Sequence, residues 1–152
     1  MIINKIKSNR LKRYLKKQFK LAPDSLHGPT HWQKVENIGL AIARRNGADQ
    51  EVVRLFAWLH DSCRRNEFTD EKHGERASKL AKQLRGKYFK LTDDQFEKLH
   101  FACKNHAHGM VCEDVTVGTC WDADRLDLGR VGTNPEEEYM STKEGKILLT
   151  KI

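Results

Sequence analysis

The sequence has no run approaching the roughly 20 apolar residues that a membrane span requires. Its N-terminal segment carries too many charged residues for a secretory signal peptide. Internal repeats and low-complexity tracts are absent, and the alternating pattern typical of β-strands is scarce. These absences argue against a membrane-spanning, secreted or repeat protein. We therefore expect a cytoplasmic, all-α protein, and 152 residues suffice for one domain with its own core.

Cysteine spacing argues against a disulfide framework or a zinc knot. The sequence has four cysteines and no C-x-x-C pair. All four stand within apolar or helical patterns, where cysteine behaves as a small hydrophobic residue. We expect reduced and mostly buried thiols, which are typical of a cytosolic protein.

Acidic residues are missing from the first 23 positions, and this explains the net charge of +7. Eight of the 28 basic residues lie within residues 1–20, so the remainder carries 20 basic and 21 acidic groups. Apolar residues at helical spacing predict a basic amphipathic helix within residues 1–22, packed on a domain of residues 23–152. This distribution disfavours a nucleic-acid partner and favours a solvated basic helix face, although an anionic contact remains an alternative.

Several helices are marked by their ends. Asp49 predicts an N-cap for the apolar helix that runs from Val52 to Leu59, and the Thr92–Gln95 capping box starts another helix, which we expect to end at Gly109. We expect the following helix to continue from Val117 beyond residue 124. Asn134–Pro135–Glu136 has the pattern of a further helix start, which predicts a short final helix.

Helical periodicity places six polar residues on otherwise apolar stripes. A buried charge is costly unless it is paired or binds a metal, and facing helices commonly build metal sites. Helical phase selects Asp124 and turns Asp122 away from the stripe. Four imidazoles, two carboxylates and no thiolate suit Mn, Fe, Ni, Mg or catalytic Zn better than structural zinc. The six predicted metal ligands are His31, His60, Asp61, His73, His106 and Asp124.

The order H…HD…D resembles the HD-domain superfamily of metal-dependent phosphohydrolases. His31, the pair His60–Asp61, and Asp124 fill that order. The resemblance spans about residues 26–131 and includes the sequences H-G-P-T-H-W, L-H-D-S and W-D-A-D-R-L-D. The residues around His31 and Asp124 are similar to those of small bacterial HD proteins without a settled function.

This resemblance implies a single-domain helical bundle of the HD-domain type in which His31, His60, Asp61 and Asp124 bind one divalent ion. In two-metal relatives, two further histidines on the intervening helices hold a second ion. His73 and His106 occupy that order here, although His73 follows the HD pair sooner than in those relatives. The sequence does not decide whether the site holds one ion or two.

Basic residues near the predicted ligands complete the hypothesis. We expect Asp61, Arg64 and Arg125 to be catalytic, with Asp61 orienting a metal-activated water and the arginines holding phosphate oxygens. The sequence does not decide whether His27 lines the mouth of the cavity or is an ordinary loop residue. The predicted reaction is hydrolysis of a nucleotide or small phosphorylated metabolite. A di-iron HD-type oxygenase and a non-catalytic metal-containing binding module are the alternatives, and no oligomeric state is predicted.

Overall fold

The computed structural model describes residues 2–152, with side chains from Lys7 onward, and the described chain is helical without a β-strand. Seven α-helices and two short 3₁₀ segments follow one another. The α-helices are α1 (Ile2–Gln18), α2 (Pro29–Asn46), α3 (Gln50–Leu59), α4 (His73–Leu84), α5 (Asp93–Asn105), α6 (Val115–Arg125) and α7 (Lys143–Leu149); the 3₁₀ segments are Leu128–Val131 and Glu137–Tyr139. The predicted all-α fold class is confirmed for the described chain.

Helix α3 is the central element of the bundle. Its residues are apolar on nearly every side, and Val52, Val53, Phe56 and Leu59 are fully buried. The Asp49 side chain accepts hydrogen bonds from the first backbone N–H groups of the helix, as its sequence position predicted. The helix packs against α2, α5 and α6 and contacts α1 and α4. Its C-terminal end is therefore held inside the protein, where His60 and Asp61 follow.

Helix α1 joins the core through a narrow apolar stripe. Leu11 and Leu15 are buried in the main hydrophobic cluster, and Tyr14 and Phe19 pack against that cluster while partly exposed. On the polar side, Lys12 Nζ lies 3.2 Å from Glu36 Oε2. The helix is thus attached by apolar burial, and Lys7, Lys16 and Lys17 are exposed to solvent.

Some helix ends differ from the sequence-based expectations. The capping box at Thr92 forms as predicted, but α5 ends at Asn105, four residues before Gly109. Helix α6 begins at Val115 with Asp114 as its N-cap and ends at Arg125. The predicted short final helix is present as α7, but the predicted start at residues 134–136 is wrong, because α7 begins after Thr142, whose hydroxyl caps it. Hydrogen bonds from a distant helix decide that start.

Asp122 supplies those hydrogen bonds. It faces away from Asp124 as the helical phase predicted, yet it is fully buried. Its carboxylate accepts hydrogen bonds from the backbone N–H of Ser141 and from both the N–H and the hydroxyl of Thr142, at 2.7–2.8 Å. A Cβ at Gly145 would lie 2.2 Å from Asp122 Oδ2, so glycine is required there. The C-terminal segment is thereby attached to α6.

Two further observations concern the class of protein. Among the described residues, none of the helices combines the length and apolar character needed to cross a membrane. All four cysteines are free, and Cys103 and Cys120 are buried. Burial raises the pKa of both buried thiols, so they remain protonated.

We predict that Leu15→Ala lowers the free energy of unfolding by about 2–5 kcal/mol, because it leaves a cavity at a fully buried position between α1 and the core. The exposed neighbour provides a matched control, since Lys17→Ala is expected to change stability by less than about 0.5 kcal/mol. Urea unfolding monitored by circular dichroism measures both. Equal stability of the Leu15 variant and the wild type would show that α1 is not part of the cooperative core.

Candidate metal centre

The six predicted ligands converge because their helices end at the same place. His60 directly follows α3, Asp61 follows it, and His106 directly follows α5. His73 is the first residue of α4, while Asp124 lies in the last turn of α6. The sixth residue, His31, lies in the first turn of α2. Side chains at helix ends can thus meet without interrupting the packing of the helix bodies.

Four side chains form a first donor group, consisting of His31, His60, Asp61 and Asp124. His31 Nε2 lies 3.1 Å from both His60 Nε2 and Asp124 Oδ1, and 3.5 Å from Asp61 Oδ2. His60 Nε2 lies 3.5 Å from Asp61 Oδ2 and 3.4 Å from Asp124 Oδ1. Both imidazoles and Asp61 are at most 2 % exposed. Two nitrogens and two oxygens therefore meet in a buried place.

A second donor group, consisting of Asp61, His73 and His106, shares Asp61 with the first. His73 Nε2 lies 3.1 Å from Asp61 Oδ1 and 2.8 Å from His106 Nε2, and His106 Nε2 lies 3.3 Å from Asp61 Oδ1. The two oxygens of Asp61 thus face different groups, Oδ2 the first and Oδ1 the second. A carboxylate in this arrangement can bridge two ions.

The distances between donor atoms suit a divalent cation. Two ligands at about 2.1 Å from an ion, with tetrahedral or octahedral angles between them, lie about 3.0–3.4 Å apart. In the first group, the two imidazole nitrogens lie 3.1 Å from each other and 3.1–3.5 Å from the carboxylate oxygens, and the donor atoms of the second group are 2.8–3.3 Å apart. Three overlapping sets of these side chains could hold a metal ion: His31–His60–Asp61, His60–His106–Asp124 and Asp61–His73–His106.

Each of the four imidazoles is oriented by an oxygen on its outer nitrogen. Nδ1 of His31 lies 2.8 Å from Asp127 Oδ2, and Nδ1 of His60 lies 3.0 Å from the carbonyl oxygen of Ala57. Nδ1 of His73 and of His106 likewise face the carbonyl oxygens of Asp70 and Cys103. Because a carbonyl or carboxylate oxygen only accepts, the proton belongs on Nδ1 in all four rings. The Nε2 lone pairs therefore face the centre, as metal-binding histidines require.

Without a cation, this arrangement is electrostatically unfavourable. Two neutral rings would direct their Nε2 lone pairs at each other across 3.1 Å in the first group and 2.8 Å in the second. Either an added proton on one ring of each pair or a shared cation relieves the repulsion. Burial alone would lower the pKa of His31, but the carboxylates of Asp124 and Asp127 together raise it. A proton is therefore available to the first group when no metal is bound.

The two carboxylates remain ionised. Burial would raise the pKa of Asp61 and of Asp124, yet the positive charge that the facing imidazoles carry when protonated, that of His60 first among them, holds both pKa values well below the ordinary range. Two negative charges consequently persist in the centre throughout the neutral pH range. This charge favours a cation over a neutral ligand.

A glycine permits the close approach of α4 and α5. A Cβ at Gly74 would lie 2.5 Å from the carbonyl oxygen of Cys103 and 2.9 Å from that of Lys104. Any larger residue would therefore separate the start of α4 from the end of α5. Because His73 and His106 stand at these two ends, Gly74 sets the 2.8 Å distance between their Nε2 atoms.

A cavity of about 450 Å³ opens onto the centre, within the range of small-molecule sites. Asp61, His73, His106 and Asp124 lie in its wall together with polar, apolar and basic residues. The remaining charged, imidazole and larger lining residues are His27, Arg64, Arg125, Leu128, Arg130, Val131, Glu136, Tyr139 and Met140.

The structure puts the two predicted arginines at this cavity in different surroundings. Arg64 Nε lies 3.6 Å from Asp61 Oδ1, and its Nη1 donates a hydrogen bond to the carbonyl oxygen of Phe68 at 3.1 Å. Arg125 is buried, and burial lowers its pKa against the opposing effect of Asp124 and Asp122. Its Nη1 donates to the Tyr139 carbonyl oxygen at 2.7 Å.

Three residues outside the predicted set of ligands and catalytic residues contact the centre. Asp127, the last residue of W-D-A-D-R-L-D, orients His31. Arg130 Nη2 lies 3.8 Å from Asp61 Oδ2. His27 Nε2 donates to the Glu67 carbonyl oxygen at 3.2 Å, which leaves Nδ1 facing Asp61 Oδ2 across 3.7 Å. The W-D-A-D-R-L-D and H-G-P-T-H-W sequences contained the signal for Asp127 and His27, but their partners lie far away in the chain.

Comparison of the chain with protein-family models, with curated proteins and with solved structures gives no match.

We predict that the protein binds two divalent ions per chain and that His73→Ala removes one of them, because His73 belongs to the second donor group alone. The exposed His108 provides the control, and His108→Ala is expected to retain both ions. Inductively coupled plasma mass spectrometry after dialysis measures the content. One ion in the wild type and an unchanged content in the His73 variant would show that the second group binds no metal.

We also predict that metal affinity rises with pH between about pH 5 and pH 8. The pKa of His31 is raised above 6.5, so below that pKa the ring holds a proton that the metal must displace. Asp61 and Asp124 are ionised throughout and add no slope in this range. Displacement of one proton gives about a tenfold rise per pH unit below the pKa of His31. Competition titration with a chelating dye measures the slope, and a pH-independent affinity would contradict the prediction.

Proposed function

We propose that this protein is a cytoplasmic, metal-dependent phosphohydrolase of the HD-domain type that acts on a nucleotide or a small phosphorylated metabolite. One observation carries the proposal: two groups of imidazole and carboxylate donors share the buried Asp61 and open onto a cavity that contains arginines. The order H…HD…D, similar to that of HD-domain proteins, is filled by residues whose donor atoms meet in the fold.

The donor set fits divalent cations that perform hydrolysis. Four imidazole nitrogens and two carboxylates leave Mn, Fe, Ni, Mg and catalytic Zn as candidates. Such ions, when bound, acidify water and stabilise the charge of a phosphoryl group. Two ions with a shared carboxylate are typical of phosphatases and nucleases. The four free cysteines agree with a cytoplasmic environment.

The chain's own residues contribute anion binding and exclusion of water. Arg64 and Arg130 direct guanidinium nitrogens toward Asp61 from 3.6 Å and 3.8 Å, where they can also reach the oxygens of a bound phosphoryl group. Phe56 stacks on His60 at a centroid distance of 4.8 Å and closes the inner side of the centre. A partly desolvated site strengthens each of these charge interactions.

Asp61 is the residue on which the proposed activity depends most. Its two oxygens face both donor groups, and its charge opposes the nearby arginines. Loss of this one side chain would therefore remove a ligand from any ion held by either donor group. His27 adds a ring nitrogen beside Asp61 Oδ2, in a position to contact that water or the substrate.

We predict that Asp61→Ala abolishes metal-dependent hydrolysis, with a loss of at least about 10²- to 10³-fold. The test is a screen of nucleotides and phosphomonoesters with Mn, Mg, Ni, Fe and Zn in turn, together with measured metal content. Glu67→Gln is the control, because its exposed carboxylate belongs to neither donor group. An Asp61 variant with full metal content and full activity would refute the assignment.

The same experiment distinguishes the alternative reactions. Two irons, an iron absorption spectrum and substrate-dependent oxygen consumption would identify a di-iron oxygenase instead. Bound metal without turnover of any tested phosphate ester would favour a non-catalytic metal-containing module.

A further inference from the structure

We propose that Arg125 binds a second anionic group of the substrate, a carboxylate or a phosphate, separate from the phosphoryl group at the metal centre. The inference rests on the proposed function and specifies its substrate class: a phosphate ester that carries another negative charge.

Arg125 is a buried cation without a counter-ion. Its residue exposure is 6 %. Among the described residues, no carboxylate oxygen lies within the 4.0 Å of an ion pair from its guanidinium group, and its Nη2 has no hydrogen-bond acceptor. Asp122, on the same helix, directs its oxygens to Ser141 and Thr142 instead. Burial of a guanidinium without a paired charge is unfavourable in free energy, and binding of an anion would offset that cost.

The cavity is where that anion can enter. Within the described chain, three buried side-chain nitrogens lack a hydrogen-bond partner, on His27, Arg64 and Arg125. All three residues line the cavity at the metal centre. Two of these nitrogens face Asp61, namely Arg64 Nε at 3.6 Å and His27 Nδ1 at 3.7 Å. Among the three, Arg125 Nη2 is therefore the donor that lacks any acceptor, and a ligand in the cavity can supply one.

Arg125 differs from the other two cavity arginines in its distance from the donor groups. Arg64 and Arg130 each lie within 3.8 Å of an oxygen of Asp61, so their charges act at the metal centre. No oxygen of Asp61 or Asp124 lies within 4.0 Å of the Arg125 guanidinium, although Asp124 and Asp122 are close enough to raise its pKa against the effect of burial. A phosphoryl group at the centre therefore leaves Arg125 available for a different part of the substrate.

The surroundings of Arg125 fix its orientation in advance. Nη1 is held by the Tyr139 carbonyl oxygen at 2.7 Å, and the guanidinium lies 5.5 Å from the centroid of the Trp121 ring. The segment that carries Tyr139 is itself attached to α6 through Asp122. A guanidinium held in place loses little conformational freedom on binding an anion, which favours recognition of carboxylate or phosphate.

The test compares ligands that differ only in the second charge. Calorimetry measures binding of ω-carboxyalkylphosphonates with two to five methylenes to the metal-bound protein, against alkylphosphonates of the same length. We expect at least one chain length at which the carboxylate strengthens binding by about tenfold or more, the value of a charged hydrogen bond. Bisphosphonates of the same lengths then distinguish a phosphate from a carboxylate as the preferred second group. Absence of any preference in the wild-type protein would overturn the proposal.

Four variants test whether Arg125 is responsible for the preference. Arg125→Gln should reduce it to less than about twofold while the alkylphosphonate affinity stays within about twofold, and Arg125→Lys should retain part of it. Arg64→Gln should weaken both ligands of a pair equally, and the exposed Arg65→Gln should weaken neither. Equal weakening of both ligands by Arg125→Gln would overturn the proposal, and so would an unchanged preference.

Thermal unfolding and metal content establish whether the Arg125 variants are folded. If they are not folded, the ligand series with the wild-type protein still tests whether a second negative charge strengthens binding. The result is independent of turnover. A preference for the second charge without hydrolysis of any ester would refute only the proposed reaction, whereas hydrolysis without that preference would refute only the second anion site.

Discussion

The repulsion among like groups in one buried place is the constraint on which this structure depends. Four imidazole nitrogens and two ionised carboxylates lie with neighbouring donor atoms 2.8–3.5 Å apart. Such an arrangement persists only if the surrounding fold holds it and a cation or protons balance it. The chain meets the first condition through its core, since α3 is apolar on nearly every side and carries His60 and Asp61 at its end.

The ends of helices provide free carbonyl oxygens that can orient the histidine rings, and the central turns do not. The last carbonyl oxygens of a helix lack partners within it. At the ends of α3 and α5, such oxygens accept the Nδ1–H groups of His60 and His106. One interaction thus satisfies the backbone and turns the Nε2 lone pair inward. His31 uses a carboxylate, Asp127, for the same purpose. Gly74 allows α4 to lie close to α5, because the Cβ of an alanine at this position would overlap the carbonyl oxygen of Cys103.

Charge is distributed around the cavity in two ways. Near the metal centre, Arg64 and Arg130 face the negative Asp61, so cation and anion partly neutralise each other before a substrate binds. Arg125 instead has a backbone carbonyl oxygen as its protein partner and remains unneutralised. The C-terminal segment beside it is held by Asp122, a residue with no donor role in the centre. The attachment of the last helix and the shape of the cavity therefore depend on the same part of α6.

Local sequence determined the features that depend on neighbours within one or two turns. The Asp49 cap, the Thr92 capping box and the inward phase of the six donor residues all follow from spacing along a helix. The tertiary structure decided which donor atoms meet, the bridging position of Asp61 and the start of α7 at Thr142. It also decided that Asp127 reaches His31 across 96 residues and that Arg125 forms no ion pair within 4.0 Å with any described residue. These contacts join side chains on different elements, and their distances depend on how whole helices pack, which no local periodicity contains.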